Sequence, residues 1–342
     1  MTALATTGTP AAPAHHPPSA TRGLVRTVLR LHRPALYLGV GVFVALAAVL
    51  LWLYGPLTDA AATAWRQYDR CQAATCAYDQ DAITTYKSVY QNATLVLTYL
   101  PFAVAAWAGA ALVGREMENG TAALAWTQSV SPARWLAVKL AVPAVLITAG
   151  TSVLVLLHRL VWFKGRGRID TAKPWTDVFT FHTNGPTTVA FALFGLGSGA
   201  LVGLVLRRSL AALLLSALGT AAAWAGVTLA LPYLWPSVTT LTDLTHAGPR
   251  SLGFTADEGV LTSTGARIPN PNCGTSNAPA CRAVYDELDA VSYYSDSHPF
   301  SHYGPLQLVA TALLLAVTAL AVLVAFRLLG HRTGAATKGA AA

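Results

Sequence analysis

Six apolar runs divide the chain, over residues 35–54, 95–113, 138–162, 187–206, 210–235 and 305–329. A helix needs about 20 apolar residues to cross a hydrocarbon layer of ~30 Å, and each run is near that length. Charge stays out of their interiors; Lys139, His158 and Arg159 fall near the ends of the third run. Polar segments separate the runs, the longest over residues 55–94 and 236–304. The pattern predicts an all-α polytopic membrane protein of about six transmembrane helices. Residues 22–329 form the membrane domain, and residues 1–21 and 330–342 are tails. The first tail is rich in Ala, Thr, Pro and His, a composition that builds no core. Ahead of the first run, Arg22, Arg26, Arg30 and Arg33 interleave with Leu24, Val25, Val28, Leu29 and Leu31. That spacing predicts a basic amphipathic helix lying at the membrane surface against anionic lipid.

Composition agrees with the pattern. The 342 residues are 54% hydrophobic and 11% charged, against roughly 25% charged in soluble domains. The formal net charge of +8 does not point to nucleic acid, because the charges follow the membrane pattern. With both termini inside, the inner segments hold twelve of the 23 Lys and Arg but only Glu116 and Glu118 of the 15 acids. This is the bias that orients membrane proteins, and it predicts cytosolic termini in a plasma-membrane protein. One segment disagrees, since Lys164, Arg166, Arg168 and Lys173 fall outside. All four cysteines then lie outside, where disulfides persist. Two local pairs, Cys71–Cys76 and Cys273–Cys281, or a bridge between the two long loops satisfy the count.

The short polar stretch between the second and third runs carries the most detailed pattern. Arg115 stands at the membrane edge, where a long cationic side chain snorkels. Glu116 and Glu118 precede a helix-prone segment, and carboxylates complement a helix N-terminus. Asn119 and Gly120 interrupt the helix, Thr121 to Gln128 has residues for about two turns, and Ser131-Pro132 reads as a cap and first helical position. The sequence predicts helix, break, short helix and capped restart.

That stretch resembles the cytosolic loop between the second and third spans of ABC transporter permeases of the type-two exporter superfamily. The matching residues are Arg115, Glu116, Glu118, Gly120 and Thr121, then Trp126 to Val130, then Arg134 to Ala137 and Lys139. Pro299, Ser301 and Gln307 resemble a second family pattern leading into the last span, with His302 and Gly304 in place of its arginine and tryptophan. The resemblance implies that the basic N-terminal helix is an elbow helix. It also implies that Glu116, Glu118, Gly120, Thr121, Trp126, Thr127, Gln128 and Arg134 form a coupling helix and its surroundings, against which a separate ATP-binding subunit docks. ATP and magnesium would belong to that partner, and a second permease copy or paralogue would complete the transporter.

The chain itself has no Gly-x-x-x-x-Gly-Lys-Ser/Thr phosphate loop and no His-Glu-x-x-His or Gly-x-Ser-x-Gly motif, so no enzyme activity or cofactor of its own is expected. No metal site is expected either: Asp286, Glu287, Asp289 and Asp296 lack calcium-loop spacing. His158 and Arg159 are expected to snorkel at the outer end of their span. Gly195, Gly199 and Gly203 recur every four residues on one helix face, which lets another helix approach closely. Core packing, a dimer interface and the lining of a substrate path all suit such a face. The function expected is the permease subunit of an ABC exporter. The alternative is a non-transporting membrane sensor, immunity or assembly protein with ligand-binding outer loops, for which the patterned cytosolic loop has no use.

Overall fold

The computed structural model describes residues 20–127, 130–170, 172–246, 248–271 and 278–339. Among these, six helices are long and apolar enough to cross a membrane: Arg33–Asp69, Gln80–Glu118, Pro132–Gly165, Thr187–Leu206, Ser209–Tyr233 and Phe300–Thr333. The membrane body is all-α, as the hydropathy pattern requires.

Helix α1 (Ala20–Leu31) precedes the first span and is amphipathic. Arg22, Arg26 and Arg30 are exposed while Leu24, Val25, Val28 and Leu29 turn inward, and the helix packs against the third span. The first span is α2 (Arg33–Trp52), which continues through a kinked π-turn at Leu53–Leu57 into α3 (Thr58–Asp69). Pro56, which has no N–H to donate, and the non-helical Gly55 produce the kink. The second span, α4 (Gln80–Trp107), is capped by Asp79, whose carboxylate accepts from the Ala82 N–H at 3.0 Å. The residues 55–94, expected as a loop, are thus largely helical. Polar residues such as Gln80, Thr84 and Lys87 hide a helix that projects beyond the hydrocarbon layer, and a rule that counts apolar residues stops at the membrane edge.

A second π segment, Ala108–Gly114, ends α4 and leads into α5 (Arg115–Glu118) and α6 (Thr121–Thr127). The third span, α7 (Pro132–Gly165), has 34 residues and is about 50 Å long at 1.5 Å per residue. After α8 (Val178–Thr183) come α9 (Thr187–Leu206) and α10 (Ser209–Ala230). α9 is the hub, packed by α4, α7, α10 and by the last helix, α12 (Tyr303–Gly339). Its glycines explain how. A Cβ on Gly195 would sit 2.6 Å from the Pro101 carbonyl oxygen, and one on Gly199 2.6 Å from that of Ala105. One on Gly203 would sit 2.8 Å from the Gly109 oxygen. The four-residue repeat therefore seats the second span backbone-to-backbone against α9, within one chain. Gly197, on the other side, faces Thr318 and Val322 of α12.

The segment 236–304, also expected as a loop, folds into a four-stranded antiparallel sheet. The strands are β1 (Val238–Thr242), β2 (Phe254–Thr262), β3 (Arg267–Pro269) and β4 (Ala290–His298), in the order β1-β4-β2-β3. β4 pairs Leu241 with Tyr294 on one side and Val260 with Tyr293 on the other. Helix α11 (Ala278–Glu287) closes a small core of Val260, Tyr285 and Tyr293. The strands are rich in Thr, Val, Tyr and Phe, which suit a half-buried pleat, but their acids and serines made the stretch read as solvated. Asp296 is fixed by Arg267 at 2.6 Å, and no group of His, Cys, Asp and Glu among the described residues gathers as a metal site.

Contacts sort the connecting segments into two ends. At one end the 163–186 connection meets the first long connection, with Lys164 and Arg168 on Asp59 at 2.8 and 3.1 Å. Trp175 of the same connection packs on Phe254 and Phe300 beside the sheet. The four bases that broke the charge pattern are thus held locally: Lys173 pairs with Asp177 and Arg166 lies over Phe300. Cys71 and Cys76 are bonded to each other at this end. Cys281 is in a disulfide as well; Cys273 lies outside the described residues. The opposite end carries α1, α5, α6, the α9–α10 turn and the end of α12.

Candidate functional site

The α5–α6 segment is built as its sequence pattern specifies. Gly120 takes φ +70° between the two helices, a left-handed conformation that suits glycine. The Ser131 hydroxyl accepts from the Arg134 N–H at 3.3 Å and Pro132 opens α7. Gln128 lies outside the described residues.

Tertiary contacts then redistribute the roles expected of these side chains. Glu116 accepts from Lys139 in an ion pair whose members are 15% and 3% exposed. The Lys139 ammonium also donates to the Leu112 carbonyl at 2.8 Å and lies 5.1 Å from the Trp135 ring centre. Lys139 does not anchor the third span at the surface. It is buried about two turns into α7 and ties α5 and the end of the π segment to α7. Glu118 accepts from the Ser209 N–H at 2.9 Å, so it caps α10, whose own N-cap Arg208 makes no side-chain bond. Trp126 stands edge-on to Trp135 with ring centres 5.7 Å apart, in a cluster with Ala122, Leu136 and Leu204. Glu116, Glu118 and Trp126 hold the segment to the bundle. Glu118 remains exposed while it makes its contact with Ser209.

What the segment presents outward is part of the expected set, joined by Ala123 and Leu124. Thr121, Ala123, Leu124 and Thr127 are exposed, as are Gly120 and Arg134 beside them. Leu124 is 63% exposed and is the one large apolar side chain facing outward on the described part of this helix. The sequence carried the signal, a leucine on the face opposite Trp126, but only the packing of Ala122 and Trp126 shows which face is out. The neighbouring chain ends are tied in as well: Arg332 donates to the Leu204 carbonyl at 2.6 Å, satisfying the C-terminus of α9.

Uncharged polar groups are gathered inside the bundle. His158 is fully buried, bonded to Thr94 at 2.8 Å and to the Asn184 side-chain oxygen at 2.6 Å. It does not snorkel. Tyr303 donates to the Asn184 carbonyl at 2.8 Å, and Gln307 bonds Thr187 and Phe181. Arg159 lies over Phe163 and Tyr303. This network joins α4, α7, α8, α9 and α12 at the sheet end. Single residues 26 to 126 positions apart compose it, so no local motif announces it, although Gln307 was part of the second family pattern. His32, at the start of α2, is buried edge-on to Trp107. Burial first, and the positive charge of Lys139 second, push its pKa down to about 4, so it is neutral near pH 7.

Six membrane-length helices, a short patterned segment rigidly bound between two of them and a glycine-packed central helix define a multi-pass membrane protein of the permease class. The chain belongs to the ABC-2 membrane transporter related family, whose model matches residues 40–234. It is therefore a membrane component of ABC transport. No curated protein and no solved structure matches it.

Proposed function

We propose that this chain is the permease subunit of an ABC exporter and that a separate ATP-binding subunit docks on the outward face of α6. The observation that carries the reading is the mounting of that helix. The inner face of α6 is fixed by Ala122 and by Trp126 against Trp135, and α5 beside it by Glu116–Lys139, while the outer face of α6 offers Leu124 among small polar residues. A push on such a helix passes to α4 and α7 without being absorbed by the loop. Arg22, Arg26, Arg30, Arg115, Arg134, Arg207, Arg208, Arg327 and Arg332 gather at this end, which supports placing it in the cytosol. The ATPase supplies ATP and magnesium, and two six-span chains, alike or paralogous, enclose the path.

Leu124→Glu tests the contact. The position is exposed and glutamate is a good helix former, so membrane level and folding should be retained. Co-purification of the ATPase should fall at least about tenfold, the weight of one buried apolar anchor. Full retention of the ATPase with unchanged export in that variant would refute α6 as the docking helix. A chain that never recovers an ATPase from its native membrane would favour the sensor or assembly reading, for which the sheet end supplies the ligand surface.

A further inference from the structure

We propose that the cleft between α1 and the α5–α6 segment is a binding site for an anionic phospholipid, with the headgroup at Arg115 and an acyl chain along the apolar wall. The cleft measures about 650 Å³, within the ~300–1,000 Å³ of ordinary ligand sites. Its walls divide by chemistry. Leu24, Val28, Leu31, Pro34, Trp107 and Ala111 make an apolar side, and Arg115, Asn119 and Thr121 a polar side.

The charges select the ligand. Lys139 and Glu116 both line the cleft but neutralise each other. Arg115 is exposed and its guanidinium has no ion pair or hydrogen bond among the described residues, leaving one uncompensated positive charge. His32 also lines the cleft; it is 8% exposed and its Nε2 has no hydrogen-bond partner among the described residues. An unbonded buried polar atom is costly, and a glycerol hydroxyl or ester oxygen would satisfy it. A singly charged headgroup on an apolar tail matches all three features. A soluble anion would leave the apolar wall bare, and a zwitterionic headgroup would leave Arg115 facing a second cation. The site sits beside α1, whose arginines Arg22, Arg26 and Arg30 already draw that surface toward anionic lipid. A lipid held there would bridge α1 to the hinge at Gly120. The proposal does not depend on which end of the bundle is cytosolic.

The test is lipid retention by the purified full chain, read by native mass spectrometry after exchange into mixtures of phosphatidylglycerol and phosphatidylcholine. Wild type should keep phosphatidylglycerol preferentially. Arg115→Gln should lower that preference about fivefold, the weight of one basic side chain near a lipid surface. Ala111→Leu, which occupies the apolar wall without changing charge, should lower total retention. Arg327→Gln, an exposed arginine away from the cleft, should change neither. Equal retention of the two lipids by wild type, or an Arg115→Gln variant that still prefers phosphatidylglycerol as wild type does, would overturn the proposal. Displacement of the lipid by millimolar inorganic phosphate would also overturn it, by showing a site for free anion.

Discussion

Lys139→Met is the sharpest probe of how α5 and α6 are mounted. Methionine keeps the length and most of the volume of lysine, so the change removes the ammonium and little packing. The ammonium serves Glu116 and the Leu112 carbonyl together, at a position 3% exposed. Removing one partner of a fully buried pair costs roughly 3–5 kcal/mol. Glu116 is 15% exposed, so water recovers part of that, and a loss of about 2–3 kcal/mol is expected. Glu116→Gln alone should cost less, because the amide oxygen still accepts from Lys139. In the double variant no charge is stranded, and its loss should fall about 1–2 kcal/mol short of the sum of the single losses. Denaturant titration in micelles, followed by tryptophan fluorescence, reads all four proteins. The Trp126–Trp135 pair, 5.7 Å apart, places reporters within the same cluster. ATPase retention measured on the same samples should fall with Lys139→Met and recover partly in the double variant. Strictly additive losses, or a Lys139→Met chain as stable as wild type, would refute the ion pair as the link between α5 and α7.

Two further outcomes follow from packing and sidedness. Gly199→Leu has no space, with the Ala105 carbonyl oxygen 2.6 Å from a Cβ, and should yield little folded protein by size-exclusion chromatography. Gly219→Leu, with nothing within 4 Å of a Cβ, should behave as wild type, and equal behaviour of the two would dissociate the α9 glycines from the α4 contact. Cys71 and Cys76 should react with an impermeant thiol reagent on whole cells only after reduction, whereas Ala123→Cys on the exposed face of α6 should be protected; labelling of Ala123→Cys from outside would reverse the proposed orientation.

Much of this protein was legible without coordinates because a membrane imposes its own geometry. A run of about 20 uncharged residues has few ways to satisfy its backbone in hydrocarbon other than as a helix, so six runs gave six spans. Local chemistry likewise set Gly120 as the break and Ser131-Pro132 as the restart, since a left-handed turn and a capped first turn need those residue types and no distant partner. The tertiary structure decided what the polar residues do. Glu116 finds Lys139 across 23 positions and Glu118 finds Ser209 across 91, distances at which periodicity carries no information. Those contacts give Glu116 and Glu118 partners within the bundle, and the packing of Ala122 and Trp126 leaves Leu124 facing outward. The sheet of residues 236–304 escaped for a related reason. Its stability comes from pairing strands up to about 60 positions apart, and the acids and serines along its strands mask the alternation that marks a strand. His158 shows the same limit in the spans: a lone histidine near a helix end reads as a snorkelling group. Thr94 and Asn184, brought to it from two other segments, make a buried position affordable for a polar ring.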